Sequence, residues 1–436
     1  TTAFYLKKRD IPFLILEKSG SIGGVIQTGQ EGGFTFESGP NTGVASYPEV
    51  IELFEELGDA CRIEFADQQA KKRLILKNGK WHALPSGLFS GIFTPLFSMK
   101  DKFRILGEPF RKPGTNPHEK LDELVKRRMG KSFLEYAVDP FVLGIYAGDP
   151  AYLVPKYALP KLYNLEQTYG SFIKGAIKKR KEPKDERDKK ATREIFSARG
   201  GLQQLTDALY NAIGAQNVLL NQENIRVTPE NGQFKVTSGL HSSETIYTAE
   251  NVITTAGAHE LDDLLPFMDK SQAAAITNLR YAKIAQVSLG FEKWEGIPLN
   301  AFGGLIPFKE NRDILGVLFM SAFLKNRAPV GGALLSVFLG GFRKPGLAEL
   351  PDEQIHDLVT KEIMDVMQLR KFNPSLMRIT RYSYAIPQYG ADTGERLEAI
   401  QQLQKNFPGL TIAGNVRDGI GMADRIKQGR AIAQNL

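Results

Sequence analysis

The chain has 436 residues, 42% apolar and 24% charged, with a formal net charge of +7. This length exceeds one hydrophobic core and suits two or three lobes, and the composition excludes a disordered chain. No apolar run is long enough to cross a bilayer, and one cysteine, Cys61, excludes an internal disulfide framework and indicates a reducing compartment.

The opening TTAFYLKKRDIPFLILE reads as the end of a helix, a loop and a strand closing on Glu17. Such a unit normally follows a first strand and a Gly-rich turn, so the sequence is expected to start just past a pyrophosphate-binding turn. No secretory signal opens it, and a cytoplasmic protein is expected. A carboxylate placed like Glu17 accepts hydrogen bonds from both ribose hydroxyls of an adenosine, although an acid ending a surface strand is common. Gly23 and Gly24 permit close backbone approach to a ligand. After a short hairpin, Gly39, Pro40, Asn41 and Thr42 form a tight polar turn with exposed amides. Acid, Gly-Gly and Gly-Pro-Asn in that order point to a dinucleotide cofactor. The bland alternative is a pair of ordinary turns.

From Cys61 to Phe196 a mostly helical insertion is expected. Its segment LPSGLFSGIFTPLF suits either a membrane interface or a buried lid. His82 lies beside this segment and is otherwise a packed or surface imidazole. The run Lys178–Lys190 carries eight basic and four acidic residues. Mixed signs around Pro183 predict a solvated, mobile loop and argue against nucleic acid. A basic surface also favours anionic lipid heads or an acidic substrate.

Ser197–Ala215 predicts a Gly-Gly turn opening an amphipathic helix, and Tyr247–Thr254 a strand. Between Asn278 and Tyr389, apolar strands alternate with turns, which predicts an antiparallel sheet with one buried face. Leu410–Leu436 predicts a strand, a Gly-rich turn and a final helix. The expected fold is therefore α/β. A Rossmann-like lobe is assembled from 1–60, 197–277 and 390–436, with a helical insertion at 61–196 and a sheet-based substrate domain at 278–389. Glycines 414, 419 and 421 open the last helix. A helix start carries unpaired amides and partial positive charge, which would stabilise negative charge on the pyrimidine end of a flavin. Phosphate binding is its other use.

In chain order, ESGPN, HALPSG, DPFVLGIYAGDP, SARGGLQQL, AIPQY and GIGM resemble the oxygen-dependent protoporphyrinogen oxidases and their coproporphyrinogen III oxidase siblings. The resemblance spans nearly the whole chain, without the family's GxGxxG turn. It implies FAD, with Glu17 and Lys18 at the adenosine, Gly24 near the pyrophosphate, and Gly39, Pro40, Asn41 and Thr42 along the flavin. It implies Ile225 at the adenine through its backbone, and Ile420, Gly421 and Met422 capping the isoalloxazine. Asn41 and the stretch from Gly144 to Ala147 would face a tetrapyrrole. The implied reaction removes hydride from a porphyrinogen bridge and a proton from a pyrrole, late in haem synthesis, with oxygen as final acceptor. A membrane surface, hand-over to a ferrochelatase, and a monomer or homodimer belong to the same expectation. Some members place an arginine for a substrate propionate where this chain has Leu88 and Phe89, so Lys100 or Lys102 is expected instead. A flavin oxidase of amines or carotenes, and a non-catalytic tetrapyrrole or FAD carrier, are the alternatives.

Overall fold

The computed structural model describes residues 1–85, 87–239 and 244–436, and the side chains of Leu88 and Phe89 lie outside its description. Two short parallel pairs join distant segments on one side of the molecule. Ile15–Leu16 pairs with Val218–Leu219, and Val252–Thr254 pairs with Leu410–Ile412. Parallel neighbours require long crossovers, so these strands come from distant parts of the chain. The helices Thr2–Lys8, Gln203–Ile213 and Met422–Asn435 pack together through Phe4, Leu205, Ala208, Ile426 and Ala433.

A seven-stranded mixed sheet forms the other side. Its order is Leu376–Pro387, Tyr281–Phe291, Ala333–Gly340, Ile314–Leu318, Gly303–Leu305, Arg73–Lys77 and Lys80–Ala83. The hairpin from Arg73 to Ala83 extends this sheet, although composition places it in the helical insertion. Its Leu74, Leu76 and Trp81 share a core with Leu289 and Val337. Strand alternation gives the sheet two faces. Ala285, Val287 and Leu289 pack with Ile355, Val359 and Ile363 of the helix Asp352–Val366. Each of those helix side chains contributes about 2 kcal/mol by leaving water. The intervening Gln286 and Ser288 are buried on the opposite, polar face.

The helical insertion is built around buried charge. Arg128, at the end of helix Leu121–Arg128, is fully buried with Glu108 and Glu166 as ion-pair partners. Glu108 also accepts from the Ser171 hydroxyl at 2.5 Å and the Phe172 amide at 2.9 Å. Burial opposes ionisation of Glu108, but the bonds from Ser171, Phe172, Arg128 and Ile173 outweigh it and hold the carboxyl below its usual range. The charged run is exposed to solvent as expected, but most of it is helical and not a loop. It continues helix Phe172–Lys181, then forms helix Glu186–Lys189, whose Arg187 pairs with Glu49 and Glu52 at 2.8 Å. Those carboxylates lie on helix Pro48–Leu57, which pins the run to that helix. Among the described residues, no helix is long and apolar enough to cross a membrane.

Candidate cofactor and substrate site

Glu17 follows the strand Ile15–Leu16, and its amide donates to the Leu219 carbonyl at 2.8 Å. Its carbonyl accepts the Gln222 amide at 2.9 Å, which brings the segment leading to Ile225 alongside. One carboxylate oxygen, Oε1, accepts from both the amide and the hydroxyl of Ser19 at 2.8 Å. Lys18 reaches Glu260 across the turn after strand Val252–Thr254. Glu17 and Lys18 are therefore tied to the segment leading to Ile225 and to Glu260.

Gly24 has a φ of +56°, and a Cβ there would meet nothing within 4 Å. The next residue touches the second turn. A Cβ on Gly39 would come 1.8 Å from the Val25 carbonyl oxygen, so only glycine fits there. The Tyr382 hydroxyl oxygen lies 3.6 Å from that same point. Asn41 is buried against the polar face of the sheet. Its Oδ1 accepts from the Ser336 hydroxyl at 2.8 Å, and its Nδ2 donates to the Gly39 carbonyl at 3.3 Å. Gln286 donates to the Glu37 carbonyl at 2.7 Å and fixes the start of the same loop. At its far end, a Cβ on Gly43 would come 3.0 Å from Met422 Cε. The loop Gly39–Thr42 thus runs from the Val25 turn to the start of the last helix.

That helix start is held from within. Gly421 donates to Asp424 at 2.9 Å, the side chain reaching back to the amide as in one half of a capping box. Arg425 Nη2 donates to the carbonyls of Arg417, Asp418 and Gly419, each at 3.0 Å. The Tyr389 hydroxyl lies 2.7 Å from the Asn415 carbonyl and 3.1 Å from that of Gly419. Its neighbour Gln388, fully buried, donates to the Tyr146 carbonyl at 2.8 Å. Helix Asp139–Tyr146 ends there, and Ala147 takes a left-handed conformation with φ of 45°. The Phe342 amide donates to the Ala147 carbonyl at 2.7 Å. A Cβ on Gly144 would come 2.7 Å from Leu305, so this helix packs tightly on the sheet. Leu315, Phe338 and Ile386 gather around Ala147 and Ile284 in an apolar patch. Sequence reading marks AIPQY only as part of the resemblance. It misses Gln388, Tyr389 and Arg425 as the groups joining the two halves.

The sequence profile of the flavin-containing amine oxidoreductases matches residues 1–436, and the chain belongs to that family. Members of the family bind FAD. The chain is 28% identical to protoporphyrinogen oxidase 2 of Arabidopsis thaliana, over 98% of this chain and 89% of that protein. It is 26% identical to coproporphyrinogen III oxidase of Bacillus subtilis, over 98% of this chain and 93% of that protein. A candidate protoporphyrinogen oxidase from Exiguobacterium sp. shares the fold with a TM-score of 0.82, at 21% identity, covering 100% of this chain and 95% of that one. The fold is the mixed α/β fold of the FAD-dependent amine oxidases.

The cleft residues fit FAD. A carboxylate ends a parallel strand, Gly24 faces open space, and the Gly39 loop admits no side chain against Val25. Glu17, Gln222 and Ile225 would hold the adenosine end, and Gly39–Thr42 with Ile420–Met422 the flavin end.

Proposed function

We propose that this chain is an FAD-dependent porphyrinogen oxidase that converts protoporphyrinogen IX to protoporphyrin IX, with oxygen as final acceptor. The observation that carries the reading is the tie made by two adjacent residues. Gln388 holds the Tyr146 carbonyl on one side, while Tyr389 holds the Asn415–Gly419 turn on the other. In this reading the tie keeps the proposed cofactor contacts and the proposed substrate wall at a fixed spacing, which is the main requirement when the chemistry resides in a cofactor. FAD, when bound, supplies the two-electron acceptor that no side chain provides.

The chain's own part is placement. Gly39, Pro40, Asn41 and Thr42 line one wall of the cleft. The exit of helix Asp139–Tyr146 lines the other. The carbonyls of Gly144 and Ile145 receive no protein donor among the described residues, because the chain turns left-handed at Ala147. They can accept a pyrrole N–H and orient the ring. Lys100 and Lys102, on helix Met99–Leu106, are the proposed propionate contacts.

The same reading includes a membrane surface. Phe93, Phe103 and Phe110 are 81%, 68% and 85% exposed. Lys174 lies 5.3 Å above the Phe110 ring. Exposed rings bordered by cations suit an anionic bilayer interface.

An aerobic assay of both porphyrinogens, read as porphyrin fluorescence, tests the proposal. Protoporphyrin formation is expected. Preference for coproporphyrinogen III moves the substrate to the sibling activity. No product from either, with no yellow cofactor in the purified protein, leaves only a carrier.

A further inference from the structure

The Gly-rich turn before the last helix has an unusual interior. Arg425 lies behind it, with Nη2 bonded to three successive carbonyls and Nη1 bonded to Gln428 Oε1 at 2.9 Å. Its Nε is buried without a hydrogen-bond partner. No carboxylate among the described residues forms an ion pair with it, because Asp418 pairs with Arg417 and Asp424 caps Gly421. A guanidinium stays charged in proteins, so Arg425 puts a positive charge behind the turn, and the Asp418 and Asp424 carboxylates nearby offset part of it.

The carbonyl directions fix the amides. All peptide bonds in the described chain are trans, and in a trans peptide the N–H points opposite to the C=O. With the carbonyls of Arg417, Asp418 and Gly419 drawn inward, the amides of Asp418, Gly419 and Ile420 point outward. None of these three amides meets a protein acceptor among the described residues. The outer face of the turn therefore carries three unpaired donors that suit negative charge.

We propose that Arg425 is a positioning residue for the cofactor. It locks the turn so that these amides face the flavin, and its charge, from behind, favours the reduced and more negative form of that ring. This rests on the reading that the pyrimidine end of the flavin lies at Ile420–Met422. Sequence gives only a hint. Arg425 lies one helical turn after Gly421, where a long side chain points back toward the turn before it.

The test is the two-electron midpoint potential of bound FAD in the holoprotein, by dye equilibration, for wild type, Arg425→Met and Arg425→Lys. Loss of charge and fork in Arg425→Met should shift the oxidised-to-reduced balance about tenfold toward oxidised, about 30 mV more negative. Arg425→Lys keeps the charge but not the planar fork, and should lie between. An unchanged potential in Arg425→Met, with FAD retained, overturns the role of the charge. If that variant does not fold, Arg425→Lys decides, and a potential equal to wild type overturns the proposal. Wild-type protein that binds no FAD contradicts the cofactor reading itself, a distinguishable result.

Discussion

Around the cleft, local geometry is set by side chains that are missing. At the centre of the helical insertion it is set by charges that are buried. Gly39 leaves 1.8 Å between an imagined Cβ and the Val25 carbonyl oxygen, and Gly43 lets Met422 approach. In the insertion, Arg128 and Glu108 are both fully buried and tie together helices that also share an apolar core through Leu124, Val125 and Phe172. The glycine loop presents backbone, with no titrating side chain of its own, to whatever it holds. A buried ion network specifies one arrangement of helices but depends on every member being charged. The two regions should therefore fail in different ways.

The largest effect is expected for Arg128→Met. It strands Glu108 in the interior, leaves Glu166 with Arg127 as its ion-pair partner, and should cost about 4 kcal/mol in urea unfolding. Hydrogen exchange should quicken across the insertion, with FAD retained. Gly39→Ala should cost about 3 kcal/mol and release FAD, because the clash is with backbone and not with a movable side chain. Should Arg128→Met release FAD as readily as Gly39→Ala, the contrast between the regions disappears. Tyr389→Phe removes the hydroxyl between two carbonyls and should cost about 1 kcal/mol. It should loosen the final turn and slow turnover more than it alters KM.

Acid separates the regions further. The Glu108 carboxyl is depressed, so its stabilisation is complete above the unfolded value of about 4.3 and is lost as pH falls through the lower folded value. Unfolding titrations should show a slope in that window, absent in Glu108→Gln. The smallest stability effect belongs to Phe103→Ser, within about 0.5 kcal/mol, since the ring is exposed. Its readout is flotation with anionic vesicles at low salt. Binding should fall, and a variant that floats like wild type removes the membrane surface.

Sequence shows most where backbone geometry demands a particular residue. The turns at Gly23, Gly39 and Gly419 are legible because close approach or positive φ requires glycine, and the discontinuous α/β lobe follows from the segments around them. It shows least where partners are remote. The Lys178–Lys190 run is solvated as its composition suggests, but it reads as a loose loop because its anchors, Glu49 and Glu52, lie on a helix far away in sequence. The hairpin Arg73–Ala83 looks like part of a helical insertion because its neighbour Gly303–Leu305 comes much later in the chain. Arg425 and Gln388 read as ordinary polar residues until their carbonyl acceptors are placed.

Anaerobic mixing of the FAD-loaded protein with protoporphyrinogen IX tests the central claim most directly. Flavin absorbance should bleach as porphyrin fluorescence rises, at one common rate, and return when oxygen is admitted. Porphyrin appearing while the flavin stays oxidised, or a flavin that never bleaches, would contradict the account.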